Sequence, residues 1–225
     1  MTQLPTFDPR TVPVIATYDR LPLVDAEHWE PSALQSRFAN GPVWSPEFRS
    51  EPLFSERALV HAAVLVPLVL RDQTTVLLTE RTAHLSSHSG QIAFPGGKVD
   101  PEDADATAAA LREAHEEIGL DARYVQVLGI LPTYTTGSAY IVTPVVALVH
   151  TGFTLTPNSD EVADVFEVPL AFLMNPANHR RHRVEWLGAQ REWLSMPYPD
   201  PRGERFIWGA TAGMLRNLYH FLSAS

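Results

Sequence analysis

The stretch that most constrains this chain is Gly90-Gln91-Ile92-Ala93-Phe94-Pro95-Gly96-Gly97-Lys98, followed by an acidic turn and then Leu111-Arg112-Glu113-Ala114-His115-Glu116-Glu117-Ile118-Gly119-Leu120. The second half reads as the end of a helix. Asp105 is its expected start, because a carboxylate can accept from free N–H groups ahead of the alanine-rich run. Gly119 is its expected stop, since glycine most readily takes the left-handed conformation past a last turn. Glu113, Glu116 and Glu117, related by i, i+3 and i+4, then share one face, while Leu111, Ala114 and Ile118 gather on another that can be buried.

Three clustered carboxylates repel one another, by a few tenths of a kcal/mol, roughly, for each like-charged pair on a solvated helix. A hard divalent cation removes that cost, because Mg²⁺ prefers carboxylate and water oxygens and bridges to phosphates. Arg112 lies beside the acidic face and can hold a carboxylate in one rotamer through a bidentate contact. A merely solvated acidic face is the alternative. The loop in front favours a metal-and-phosphate site, since Pro95-Gly96-Gly97 reads as a turn with two residues free to take positive φ and backbone open to close approach.

These residues resemble the Nudix box, G-x5-E-x7-R-E-U-x-E-E-x-G-U, where U is bulky and apolar. Arg112, Glu113, Glu116, Glu117, Gly119 and Leu120 match, and Ala114 is smaller than usual. Lys98 stands at the expected glycine, so the loop from Gly97 is one residue longer, and Asp103 stands where a glutamate is usual. That extra residue is typical of the coenzyme A pyrophosphatase branch. Leu77-Leu78-Thr79-x-Arg81-Thr82 with Gly90-Gln91-Ile92-x-Phe94-Pro95-Gly96-Gly97 resembles the accessory signature of the same branch, with Ser86 where an arginine is usual. Val142-Thr143-Pro144-Val145-Val146 and the string Ile207-Trp208-Gly209-x-Thr211-Ala212 are also similar to that branch, so the resemblance spans about residues 58–222.

Composition narrows the classes. A chain of 225 residues with 45% apolar and 19% charged content can bury a core without disulfides, and it has no cysteine to form one. A net charge of −9 argues against a nucleic-acid coat. No apolar run reaches the ~18 residues of a membrane span, and the N-terminus lacks a basic start followed by an apolar core, so the expected location is cytoplasmic.

Along the chain, residues 1–57 are proline-rich, with one short helix expected at 31–39. This segment is read as an N-terminal extension packed on the domain, with a pocket cap or dimer arm as the alternative, and residues 58–225 as the catalytic domain. Residues 59–70 read as a buried strand in which Pro67 marks a bulge or an edge, and 75–79 as the strand returning from a hairpin. Arg81 either holds a phosphate or is salt-bridged in the fold. His84 and His88 read as solvated. Residues 124–131 and 141–150 read as apolar strands separated by a polar loop, where Tyr134 or Tyr140 stacks on an adenine and hydroxyls such as that of Ser138 meet phosphates, or where the aromatics simply cover the core. Residues 179–183 form a basic run, either a solvated turn or a site for the 3′-phosphate of coenzyme A. Residues 184–207 read as a hairpin edging the sheet, and 206–222 as the final helix.

The resemblance implies an α+β Nudix fold, an α/β/α sandwich around a mixed sheet. It implies hydrolysis of coenzyme A or an acyl derivative to 3′,5′-ADP and 4′-phosphopantetheine. Glu113, Glu116, Glu117 and the Gly97 carbonyl would hold Mg²⁺ or Mn²⁺, and Arg112 would support them. A box glutamate or Glu161, the latter otherwise a local carboxylate at a turn, would take the proton from water. Arg81, Gly96, Gly97, Lys98, Tyr134, Ser138 and Tyr140 would meet a small nucleotide of the coenzyme A class. The protein is expected to be a monomer or homodimer, without nucleic-acid or membrane partners. The alternatives are a Nudix hydrolase of ADP-ribose or dinucleotides, and a non-catalytic nucleotide-binding protein.

Overall fold

The computed structural model describes residues 8–54, 57–82, 90–186 and 189–224. The chain opens with β1 (Val14–Thr17), α1 (Pro31–Ala39), β2 (Val60–Val69) and β3 (Thr75–Arg81). It continues through β4 (Ile92–Ala93), β5 (Gly96–Lys98), α2 (Ala106–Ile118), β6 (Val125–Ile130), β7 (Tyr134–Thr135) and β8 (Tyr140–Val149). It ends with β9 (Val162–Pro169), α3 (Leu170–Leu173), β10 (Arg180–Trp186), β11 (Ala189–Asp200), β12 (Gly203–Trp208) and α4 (Gly209–Ser223).

β2 is the axis of a mixed sheet that holds eight of the described strands. Being apolar on both faces, it can only be covered from both sides. Alternation divides its side chains: Ala63, Leu65 and Val69 pack with Ala109, Ala110, Ala114 and Ile118 of α2. Ala62, Val66 and Leu68 face Leu34 of α1 and Leu215, Leu218 and Leu222 of α4. The α/β/α sandwich follows from this two-residue period.

β8 runs parallel to β2 in unbroken register from Val60↔Tyr140 to Val69↔Val149. The other edge of β2 is shared, with β3 pairing at Leu68 and Val69 and β5 at Ala62 to Val64. Pro67 marks neither a bulge nor a sheet edge. Leu65 donates its N–H to the Pro95 carbonyl (2.9 Å), and the next backbone nitrogen on that side belongs to Pro67, in the fork between β5 and β3. A residue with no N–H fits the one place where β2 has no acceptor to meet. The hairpin likewise holds only at its base, because β3 leaves β2 after two pairs and runs along β9. β6, expected as an apolar strand, is an outer strand with Val127 and Ile130 exposed.

Residues 180–208 do not pair into this sheet, although β12 lies against its end strand β4. β10, β11 and β12 form a second, antiparallel sheet in the order β1-β10-β11-β12, in which β11 and β12 pack on α4. The basic run is a strand rather than a solvated turn. His182 is buried and stacked on Trp193, while Arg181 and Arg183, on the opposite face by alternation, pair with Glu192. Residues 206–208 complete β12, and α4 starts at Gly209, whose φ of 63° turns the chain out of the strand.

Within residues 8–54 the N-terminal segment is tied to the rest of the structure at several points. β1 joins the second sheet, and Leu34 of α1 is fully buried. Glu47 accepts from Arg216 Nε and pairs with His220, each at 2.7 Å. No described helix is long and apolar enough to cross a membrane.

Candidate active site

α2 forms as its sequence dictates. The Asp105 side chain accepts from the Ala108 N–H (2.8 Å), and Gly119 closes the helix at φ 69°. Ala114 and Ile118 are buried and Leu111 half-buried, which turns Glu113 and Glu117 toward β5 and leaves Glu116 exposed beside Arg112. The expected turn at Pro95-Gly96-Gly97 is instead the start of β5, and of the two glycines only Gly96 has a positive φ (155°). Both are nonetheless required by close approach. A Cβ on Gly96 would lie 2.4 Å from the Ala63 carbonyl oxygen, and one on Gly97 would lie 2.5 Å from the Glu113 carboxylate. Without side chains at 96 and 97, β5 slides between β2 and α2 and brings its backbone onto the acidic face.

Arg112 organises that face. It grips Asp103 with two hydrogen bonds (Nε–Oδ1 3.0 Å, Nη2–Oδ2 2.9 Å), reaches Glu113 (3.1 Å) and Glu116 (3.0 Å) through Nη1, and donates from Nη2 to the Lys98 carbonyl (3.1 Å). Asp103 thus serves as the partner that fixes the arginine fork. Hydrogen bonds from Arg112 and the Asp100 N–H hold its carboxyl below the usual range, and the contacts with Asp103 and Glu113 raise Arg112 further above its own.

Glu117 is almost fully buried, with Oε2 accepting from the Gly96 N–H (3.0 Å) and Oε1 3.6 Å from Arg81. Burial pushes its carboxyl up to about 7, opposed by the Gly96 N–H and Arg81 and reinforced by Glu113 and Glu161. Burial also raises Glu113, with Arg112 opposing and Glu116 and Glu161 adding repulsion. Glu161 enters from the loop before β9. Asn158 anchors this loop on the Glu117 carbonyl (2.8 Å), and the Glu161 carbonyl accepts from the Thr82 N–H (3.0 Å). It sits in the turn that leads into β9, and its charge acts on both Glu113 and Glu117.

Among the described residues, no three acidic or imidazole side chains converge as ready cation ligands. The expected trio is divided: Glu113 and Glu116 are held by Arg112, and Glu117 is turned to Gly96. The donor chemistry still fits a hard cation. Crowded, partly buried carboxylates with raised proton affinity are what a divalent ion stabilises, and Glu113, Glu116 and Glu117 beside the β5 backbone could hold one.

A cavity of about 610 Å³ opens beside this face. Arg81, Gly96, Gly97 and Lys98 line its acidic-helix end, with Ser138 and Tyr140 on one wall. Tyr134 is not on that wall. It is buried, with its hydroxyl donating to Glu51 (2.9 Å) and its ring filling the space a side chain on Gly213 would need. Burial and the Glu51 carboxylate hold its phenol far above the usual range. The rest of the lining includes Trp193, Phe206 and Trp208 of the second sheet and Met214 of α4, which the sequence reading did not connect with a site, and Arg10, Glu51 and Phe54 from the N-terminal segment, for which a pocket cap is the alternative reading given above. For Trp193, Phe206 and Trp208 the sequence signal is aromatic density after residue 185. His84, Ser86 and His88 lie outside the described residues.

A mixed sheet clasped between helices, with an arginine-braced acidic helix facing a Gly-Gly strand, defines a Nudix hydrolase. The NUDIX domain profile matches residues 59–190, more than half of the chain, and the chain belongs to this family of pyrophosphate-cleaving hydrolases, which use divalent metal ions. Among its relatives, the uncharacterized Nudix hydrolase NudL of Escherichia coli is 42% identical over 170 residues, 74% of this chain and 86% of that protein. NudL of Yersinia enterocolitica is 44% identical over 159 residues, 70% of this chain and 79% of that one. Solved structures are more distant. A Caenorhabditis elegans Ap4A hydrolase is 23% identical with a TM-score of 0.43, covering 53% of this chain and 86% of its own. The NUDIX domain of Shewanella oneidensis NrtR, solved with ADP ribose, is 22% identical with a TM-score of 0.41, covering 53% and 79%.

Proposed function

We propose that this Nudix hydrolase cleaves the diphosphate of coenzyme A or an acyl-coenzyme A, releasing 3′,5′-ADP and (acyl-)4′-phosphopantetheine. The observation that carries the reading is the cavity. One end carries the cations Arg81 and Lys98 beside the acidic helix, and the rest of the lining, with Phe54, Trp193, Phe206, Trp208 and Met214, is mostly apolar, though Arg10 and Glu51 also reach it. Such a site suits a diphosphate joined to a bulky, partly apolar group better than a small polar nucleotide. The accessory sequence Leu77-Leu78-Thr79-x-Arg81-Thr82 supports the same branch of the family.

Glu113, Glu116, Glu117 and the Gly97 carbonyl would hold Mg²⁺ or Mn²⁺, with Glu113 and Glu116 exchanging part of their contact with Arg112 for the ion. When bound, the cation supplies Lewis-acid polarisation of the phosphoryl oxygens and neutralises charge on the leaving phosphate. Arg81 and Lys98 orient the diphosphate, Arg81 through its fork. Ser138 and Tyr140 contact the nucleotide from the side wall. Water adds its oxygen to phosphorus as the bridging P–O bond breaks, and a carboxylate, Glu161 or a box glutamate, accepts the water's proton.

Mg²⁺- and Mn²⁺-dependent hydrolysis of coenzyme A, 3′-dephospho-coenzyme A and ADP-ribose, measured side by side, tests the reading. Coenzyme A cleaved well above the other two is the expected result, with Glu117→Gln lowering turnover by orders of magnitude in a folded protein. Preference for ADP-ribose, or indifference to the 3′-phosphate, would overturn the coenzyme A assignment.

A further inference from the structure

The cavity wall that carries Ser138 and Tyr140 is held in shape from outside the matched domain. Residues 49–54 lie along this loop. The Glu51 N–H donates to the Thr135 carbonyl (2.8 Å), the Thr135 N–H to the Arg49 carbonyl (2.8 Å), and the Phe54 N–H to the Gly137 carbonyl (2.9 Å). The Glu51 side chain then divides its oxygens, with Oε1 accepting from the Tyr134 hydroxyl (2.9 Å) and Oε2 from the Gly137 N–H (2.8 Å). Gly137 is pressed so closely on Phe54 that a Cβ would fall 2.3 Å from its ring.

The loop needs such a clamp. Ala139, one residue past Ser138, sits at φ 69°, the one non-glycine residue with a positive φ among those described. That conformation is disfavoured for an L-residue and persists only where surrounding contacts impose it. Within the loop, Thr136 Oγ1 accepts from the Tyr140 N–H (3.1 Å) and lies 3.0 Å from Ser138 Oγ, so the anchor at Gly137 is passed directly to both wall residues.

We infer that Glu51 is a positioning residue for substrate binding. It holds the strained 134–140 loop so that Ser138 and Tyr140 face the cavity, and the substrate site is therefore composite, completed by residues 49–54. The inference rests on this cavity being the substrate site and not on which diphosphate fills it.

The test measures KM and kcat of the full chain for whichever of coenzyme A, 3′-dephospho-coenzyme A and ADP-ribose the wild type cleaves, so failure of the coenzyme A assignment leaves it readable. Glu51→Ala is expected to raise KM tenfold or more, with kcat within threefold and Mn²⁺ affinity unchanged. Glu51→Gln, keeping one acceptor oxygen, is expected to fall between. Glu47→Gln is the control, because it loosens the same segment from α4 without touching the loop; it should lower Tm and leave KM alone. A Glu51→Ala KM within twofold of wild type overturns the inference, as does an equal rise in KM for Glu47→Gln, which would make the effect one of general stability.

Discussion

Alanine at position 97 would place a methyl carbon 2.5 Å from Cδ and both oxygens of the Glu113 carboxylate. Ordinary contact between such atoms is about 3.5 Å, so the carboxylate must retreat by about 1 Å. Backing away also strains its 3.1 Å hydrogen bond from Arg112. A misplacement of about 1 Å at a reacting centre can cost about 10²-fold in rate, or about 2.7 kcal/mol of transition-state stabilisation. Stability should hardly change, because Gly97 does not have a positive φ and what an added methyl meets there is a side chain. Gly97→Ala is therefore expected to lower kcat about 100-fold and weaken Mn²⁺ binding, while Tm stays within a few degrees of wild type. Turnover at saturating Mn²⁺, calorimetric titration of Mn²⁺ and a thermal melt on one preparation decide it. A variant that turns over within threefold of wild type would refute the argument that Gly97 is there to admit Glu113.

Gly96→Ala should behave oppositely. Its Cβ would meet strand backbone, 2.4 Å from the Ala63 carbonyl oxygen and 2.6 Å from Val64 Cα, at φ 155°, so a stability loss of at least about 2 kcal/mol is expected in chemical denaturation. Arg112→Lys keeps the charge but loses the fork that grips Asp103, and should reduce activity or Mn²⁺ affinity by roughly 10-fold or more without unfolding the protein; wild-type values for both would show that the bidentate contact has no role. Acid should destabilise the fold in two stages. Burial pushes the His179 imidazole down from its usual 6.5 to about 4, so as pH falls through that window the unfolded chain takes up a proton the native site refuses, at a cost of about 3 kcal/mol. His179→Gln, which keeps an acceptor for Arg216 and a donor for the Leu173 carbonyl, should flatten this limb of a Tm-versus-pH curve, and an unaltered slope would count against it. For Glu47, burial raises the carboxyl but hydrogen bonds from His220 and Arg216 outweigh it and bring it to about 2, so its contribution is lost below about pH 4.5.

The acidic helix was legible in the sequence because everything that makes it is local. Asp105, Gly119 and the i, i+3, i+4 spacing of the glutamates act within a few residues, and the apolar runs around Val66 and Val146 announced buried strands. Burial and partnership obey no such spacing, and tertiary structure alone decided them. Tyr134 and Tyr140 look alike in the sequence, yet one is drawn inward to Glu51, 83 positions away, and the other lines the cavity. Arg181 and His182 are neighbours in a basic run, yet strand alternation sends one to Glu192 and the other into the core beside Trp193. The Gly-Gly stretch reads as a turn until β2 and α2 close around it. A strand or a loop takes its meaning from whatever packs on it. In this protein the acidic helix is set by its own residues, while the cavity it faces, from Arg10 and Glu51 to Trp208, exists only once distant segments have been brought together.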